Sequence, residues 1–63
     1  MDLLTERDVE ELTGGLIKAA TLRSWRARHI GPPWFRVGPR RVAYRRADVL
    51  TWLAEQERER ESR

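Results

Sequence analysis

Ile-Lys-Ala-Ala-Thr-Leu-Arg-Ser-Trp-Arg-Ala-Arg-His, residues 17–29, is the stretch on which the fold turns. At helical spacing Leu22, Trp25 and His29 fall within about 60° of one another, with Thr21 at their edge, and this is the face a core would take. Opposite lie Ala19, Ala20, Arg23, Ser24 and Ala27, nearly bald except for one arginine, with Arg26 on the flank. Such a face has two readings. It can sink into a groove, or it is the Ala-rich solvent side of an ordinary amphipathic helix.

The surrounding charge favours the groove. Between Leu12 and Ala47 the chain carries Lys18, Arg23, Arg26, Arg28, Arg36, Arg40, Arg41, Arg45 and Arg46 and no acid, whereas residues 1–11 hold five acids to one arginine and residues 48–63 five acids to three. The net charge of +3 conceals this separation. A surface selected only for solubility mixes its signs, and a segregated basic block repels itself unless a polyanion relieves it. Nucleic acid is such a polyanion. Arginine in eight of the nine places favours forked contacts with phosphate and guanine over plain charge neutralisation.

Length and composition narrow the class. Sixty-three residues make one small domain, which buries only about 60% of its unfolded surface and leaves no room for a catalytic cleft. Without cysteine neither a disulfide nor a thiolate metal site staples it, so stability must come from packing, to which the three tryptophans matter. No apolar run approaches membrane-spanning length and no basic leader precedes an apolar stretch, so the expectation is a cytosolic protein, bacterial or viral, with no membrane partner. With nucleic acid as the polyanion, its place would be cytoplasmic and nucleoid-associated in a bacterial host.

Thr5 opens the first helix, with Asp8 three residues on as a capping box and Leu4 and Val9 at the staple positions. Val9 and Leu12 continue the apolar stripe, and Glu6, Asp8, Glu10 and Glu11 are expected to face water. Gly14 and Gly15 end the helix, and the short connection to the next has helix-turn-helix spacing. The second helix starts near Lys18 without a capping side chain. Either a phosphate satisfies its free N–H groups or the end is frayed.

Gly31 and Pro32-Pro33 stop that helix by Ile30. Phe35-Arg36-Val37 and Val42-Ala43-Tyr44 alternate with a period of two around Gly38-Pro39-Arg40-Arg41, which predicts a two-stranded hairpin. Phe35, Val37, Val42 and Tyr44 would face the core and Arg36, Arg40 and Arg41 would face outward; the basic tip is either a DNA-binding wing or a solvated turn. A third helix begins near Arg46 or Ala47, carrying Val49, Leu50, Trp52 and Leu53 at helical spacing, with Trp52 in the core. The expected core is Val9, Leu12, Leu22, Trp25, Val37, Tyr44, Leu50 and Leu53. The domain should occupy residues 1–54, and residues 55–63, which lack an apolar side chain, form a charged helical extension or a disordered tail. That tail is either solubilising or a partner-binding segment.

Four segments carry a family resemblance: Leu-Leu-Thr-Glu-Arg-Asp-Val-Glu-Glu-Leu (3–12), Thr-Leu-Arg-Ser-Trp-Arg (21–26), Gly-Pro-Pro-Trp-Phe-Arg-Val-Gly (31–38) and Tyr-Arg-Arg-Ala-Asp-Val-Leu-Thr-Trp-Leu (44–53). In content and order they resemble the small excisionase-type winged helix-turn-helix proteins, relatives of the DNA-binding domain of MerR regulators. The resemblance implies a mainly α, α+β fold of helix, helix, two-stranded hairpin wing and helix. It implies a second helix in the major groove of double-stranded DNA and a wing at the neighbouring minor groove or backbone. Family members act as phage or plasmid recombination directionality factors or as small transcription regulators. By matching position, Thr21 and Arg23 would be groove-side contacts and Arg40 and Arg41 wing contacts. This chain departs from the family at Lys18-Ala19-Ala20, where a small polar cap followed by Pro or Ser is usual.

The expected DNA-facing set is therefore Lys18, Ala19, Ala20, Thr21, Arg23, Ser24, Arg26 and Arg28 from the helix with Arg36, Arg40, Arg41 and Arg45 from the hairpin. The expected function is sequence-specific binding and bending of DNA to direct integrase-mediated excision, with a small MerR-like transcription regulator as the alternative. A basic module that docks an acidic protein is a third, different class. No enzyme activity, metal or cofactor is expected: His29 stands alone and should bond the last carbonyls of its helix, and Gly14-Gly15 is a turn, not a phosphate loop. Partners would be double-stranded DNA, a phage integrase, and further copies of the chain that associate cooperatively on DNA, through the acidic first helix or the Glu-Arg tail, while the free protein is a monomer.

Overall fold

The computed structural model describes residues 2–61, with side chains as far as Glu59. It is a small α+β structure, about half helical: β1 (Leu3–Leu4), α1 (Glu6–Leu12), α2 (Ala19–Ala27), β2 (Phe35–Val37), β3 (Arg41–Arg45) and α3 (Arg46–Glu61). The strands form one antiparallel sheet in the order β1-β3-β2. The core sits between this sheet and the helices, where Val9, Leu22, Tyr44 and Val49 are almost wholly buried, each contributing about 1.5–3 kcal/mol by leaving water.

Local signals place the helix ends. The Thr5 hydroxyl accepts from the Asp8 N–H at 3.0 Å while the Asp8 carboxylate accepts from the Thr5 N–H at 2.9 Å, so the capping box forms as the spacing predicts. At the other end of α1 the Gly14 N–H reaches the Glu11 carbonyl and the Gly15 N–H the Glu10 carbonyl, a Schellman closure that needs the left-handed φ of +63° at Gly14. The helix α2 closes in the same way, through His29 N–H to Arg26 and Ile30 N–H to Trp25. There the left-handed residue is His29, at φ +57°. The ring is exposed and does not lie on the core face with Leu22 and Trp25 as its spacing predicts, because the helix has ended two residues earlier. Gly31 follows at φ +90°, so close to Trp25 that a Cβ would stand 2.7 Å from the indole. Trp25 in turn packs on Trp52 of α3, ring centres 5.7 Å apart.

Two features of the sheet differ from the reading of the sequence. Leu3 and Leu4, expected only to lead into α1, form a short strand paired with Arg45 and Tyr44. The hairpin pairs Phe35 with Ala43, Arg36 with Val42 and Val37 with Arg41, so its loop is the three residues 38–40 and not four. A shift of one residue moves β2 to the opposite face relative to β3. Arg36 therefore shares the inner face with Val42, Tyr44 and Leu4, while Phe35 and Val37 lie on the outer face with Ala43 and Arg45. Val37, expected in the core, is accordingly 44% exposed, and so is Leu50 of α3. Ile17, Ala43 and Val49 are buried, although none stood among the expected core residues. Leu12, Trp25 and Leu53 are half-buried against the core.

The helix α3 runs without interruption across residue 54 to Glu61, so the charged end continues the helix as far as it is described. Ser62 and Arg63 lie outside the described residues, as does Met1. Among the described residues no helix is long and apolar enough to cross a membrane.

Candidate nucleic-acid interface

The exposed side of α2 is the one the wheel predicts. Ala20, Arg23, Ser24 and Ala27 are exposed, whereas Ala19, expected beside them, is half-buried against α1; Thr21 is half-buried at the edge, and Arg28, the C-cap residue, is exposed. Beside this face, between α2 and the β2–β3 hairpin, runs a hollow of about 400 Å³ lined by Arg23, Arg26, Ala27, His29, Trp34, Arg36, Arg40 and Val42. It adjoins a second hollow of about 300 Å³ bordered by Thr5, Glu6, Arg23, Arg26, Arg40, Arg41 and Val42. Five arginines from three elements and a turn thus converge on one concave surface. The inward register of Arg36 is what brings it there.

The other members of the expected set stand apart. Lys18 and Ala19 sit at the start of α2, and Arg45 lies on the outer sheet face with its guanidinium 5.2 Å from the Phe35 ring centre.

The start of α2 has no local capping side chain, as the sequence predicts, but receives one partner from α1. Its first N–H, at Ala19, donates to the Glu10 carboxylate of α1 at 2.9 Å, and Lys18 Nζ is 4.0 Å from the other oxygen. A carboxylate at a helix N-terminus suits the helix dipole. Glu10 therefore satisfies the Ala19 amide from nine residues away, much as an N-cap side chain would locally. The sequence carries no local sign of it, since the pairing exists only once the two helices are in contact.

Glu6 departs from expectation in the same way. It does not face water: its side chain is only 17% exposed. One oxygen accepts from Arg23 Nε at 3.1 Å and the other from Arg26 Nη1. Arg26 also donates to the Tyr44 hydroxyl at 3.1 Å and lies 5.8 Å from the Trp34 ring centre. The side chain of Arg26, expected on the outer flank of α2, is thus turned inward, with 19% of it exposed against 65% for Arg23. The reason is that Tyr44 and Glu6 offer two acceptors in a half-buried place where an arginine's planar fork can meet both. Burial pulls the Arg26 guanidinium down, and the hydrogen bonds to Tyr44 and Glu6 more than reverse this and hold it above its ordinary value. Burial pushes the Tyr44 phenol up, and the Arg26 hydrogen bond offsets this only in part. Glu6, Trp34, Val42 and Tyr44 are parts of the site that sequence reasoning missed.

No family model, curated protein or solved structure matches the chain.

Proposed function

We propose that this chain is a winged helix-turn-helix protein that binds double-stranded DNA with sequence preference, acting as an excisionase that bends DNA to direct an integrase. The observation that carries the DNA reading is the pair of adjoining hollows beside α2 and the hairpin, with Arg23, Arg26, Arg36, Arg40 and Arg41 between them on the walls, next to a smooth exposed helix face of Ala20, Ser24 and Ala27. In this reading α2 enters the major groove, the hairpin is the wing on the backbone, and Ala20, Thr21, Arg23 and Ser24 approach base edges while Arg28, Arg36, Arg40 and Arg41 meet phosphates. The directionality-factor role rests on the four resemblance segments. No catalytic step is part of it.

One module of this size covers only about 600–1,000 Å² on DNA, which supplies limited specificity, so several copies load cooperatively on tandem sites from a monomer in solution. Three of the four acids of α1 are engaged within their own chain, Asp8 in the cap and Glu6 and Glu10 on α2. The contact between copies in this reading is made by the first helix, where Glu11 is exposed, or by the Glu-Arg tail, meeting the basic hairpin of the next copy head to tail.

Anisotropy with a random duplex of about 20 base pairs tests the reading. With roughly five phosphates contacted, log K should fall against log salt with a slope of about −4 to −5. A slope near zero would return the basic surface to a protein-docking role. Footprints then separate excision from regulation: progressive occupancy of direct repeats with bending supports the former, and two copies on an inverted repeat without bending support the regulator.

A further inference from the structure

Among the acids of the chain, Glu6 is placed where it opposes the charge of the surface proposed to bind DNA. Its carboxylate lies at the border of the hollow, half-buried, with each oxygen engaged by a different arginine of α2. Arg26 is further held by Tyr44 and lies near Trp34. Arg23 is held only at Nε, in a side chain that is 65% exposed. An arginine anchored through Nε is fixed in direction and keeps its terminal Nη1/Nη2 fork as the edge for an outside partner.

The charge of Glu6 treats two kinds of partner differently. A phosphate brought against Arg23 carries a full negative charge, and at a few ångströms from Glu6 it is repelled as well as attracted. A guanine edge carries only the partial charges of O6 and N7, accepts the same fork in bidentate geometry, and suffers little of that repulsion. Resting on the DNA-binding reading, we propose that Glu6 is a specificity-determining positioning residue: by holding Arg23 and Arg26 it lowers their affinity for backbone phosphate and presents the Arg23 fork to base edges. Nonspecific affinity is thereby left to the hairpin arginines. The arrangement sacrifices total affinity for discrimination, as an unpaired pair of arginines on α2 would grip any duplex.

The test compares a random duplex with the sequence enriched from a random pool by the wild-type chain. Glu6→Gln keeps size and one acceptor oxygen and removes the charge. It should tighten random-duplex binding about five- to tenfold, tighten the enriched sequence less, and steepen the salt slope on random duplex by about 0.9 for each additional phosphate neutralised. Equal tightening on both duplexes, an unchanged slope, or weaker binding on both would overturn the proposal. Arg23→Ala in the otherwise wild-type chain gives an answer that does not depend on how Glu6→Gln folds. It should weaken the enriched sequence at least tenfold and random duplex less than twofold; similar losses on both would overturn the proposal. A pool that enriches nothing overturns it too, since there is then no discrimination to protect. Salt-dependent duplex binding in the wild type with any of these contrary results would sink the role of Glu6 alone, whereas absence of duplex binding would sink the DNA reading and this inference with it.

Discussion

The basic residues of α2 and those of the hairpin are the same chemistry in opposite circumstances. Lys18, Arg23 and Arg26 each meet a carboxylate of α1. Among the described residues no carboxylate lies within ion-pair reach of Arg36, Arg40 or Arg41. The block that looks uniformly positive along the chain is thus two regions in space, one already matched internally and one with its charge open to an outside partner. Charge that is matched internally orders a surface, and charge that is open supplies long-range attraction. A count of arginines therefore says little about affinity until the partners of each are known.

Removing Arg26 should cost most. Arg26→Ala leaves the half-buried Glu6 carboxylate and the Tyr44 hydroxyl short of a donor, and unfolding by denaturant should show a loss of about 2–3 kcal/mol, below the figure for fully buried pairs because Arg26 and Glu6 both retain some solvent. A loss under about 0.5 kcal/mol, the usual scale of a surface change, would erase the distinction between the two regions.

The same cluster gives a pH signature. The folded-state value of Tyr44 is raised above its ordinary value of 10.0, so the folded form holds that proton more tightly than the unfolded chain. Its contribution to stability is fully present below about pH 10 and is lost as pH rises through the elevated folded value. Thermal melts from pH 8 to about 11.5 should therefore show a falling midpoint above about pH 10. Because Tyr44 is the only tyrosine, tyrosinate absorbance reports it directly. Ionisation at or below its ordinary value in the folded protein would contradict the dominance of burial over the Arg26 hydrogen bond at this phenol.

Glu10→Ala probes the other junction of α1 with α2 and should cost about 1 kcal/mol, the scale of a missing N-cap. Hydrogen exchange should quicken at Ala19, whose N–H is left without its acceptor. An unchanged rate there would mean that the Glu10 carboxylate is not what orders the start of α2.

Smallest in stability, and most informative about charge, is the double change Arg40→Ala with Arg41→Ala. Each exposed replacement should alter stability by no more than about 0.5 kcal/mol. The salt slope of duplex binding should nevertheless flatten by about 1.8, or 0.9 for each phosphate that is no longer neutralised. Flattening of the same size from Arg26→Ala would place α2 and the hairpin in one electrostatic class and dissolve the comparison.

Local chemistry settled much of this protein before any fold was in hand. The capping box at Thr5 and Asp8, the glycine-ended α1, the stop before Pro32-Pro33, the hairpin and the start of α3 at Arg46 all rest on interactions within a few residues, which a linear sequence displays. The exposed face of α2 was equally legible, because helical periodicity alone assigns Ala20, Arg23, Ser24 and Ala27 to one side. Tertiary structure decided whatever depends on residues distant along the chain. Glu6 meets Arg23 and Arg26 across 17 and 20 positions, and Glu10 meets Ala19 across nine, so no window on the sequence joins them. The hairpin register, and with it the faces of Phe35, Arg36 and Val37, turned on one residue of loop length, a difference that alternation cannot detect because either pairing preserves it within each strand. The third strand escaped notice because Leu3-Leu4 is too short to show a period; only the open edge of β3 beside Arg45 and Tyr44 makes it a strand. Charge followed the same rule: the sequence determined how many arginines there are, and only packing decided which of them had a carboxylate for a neighbour.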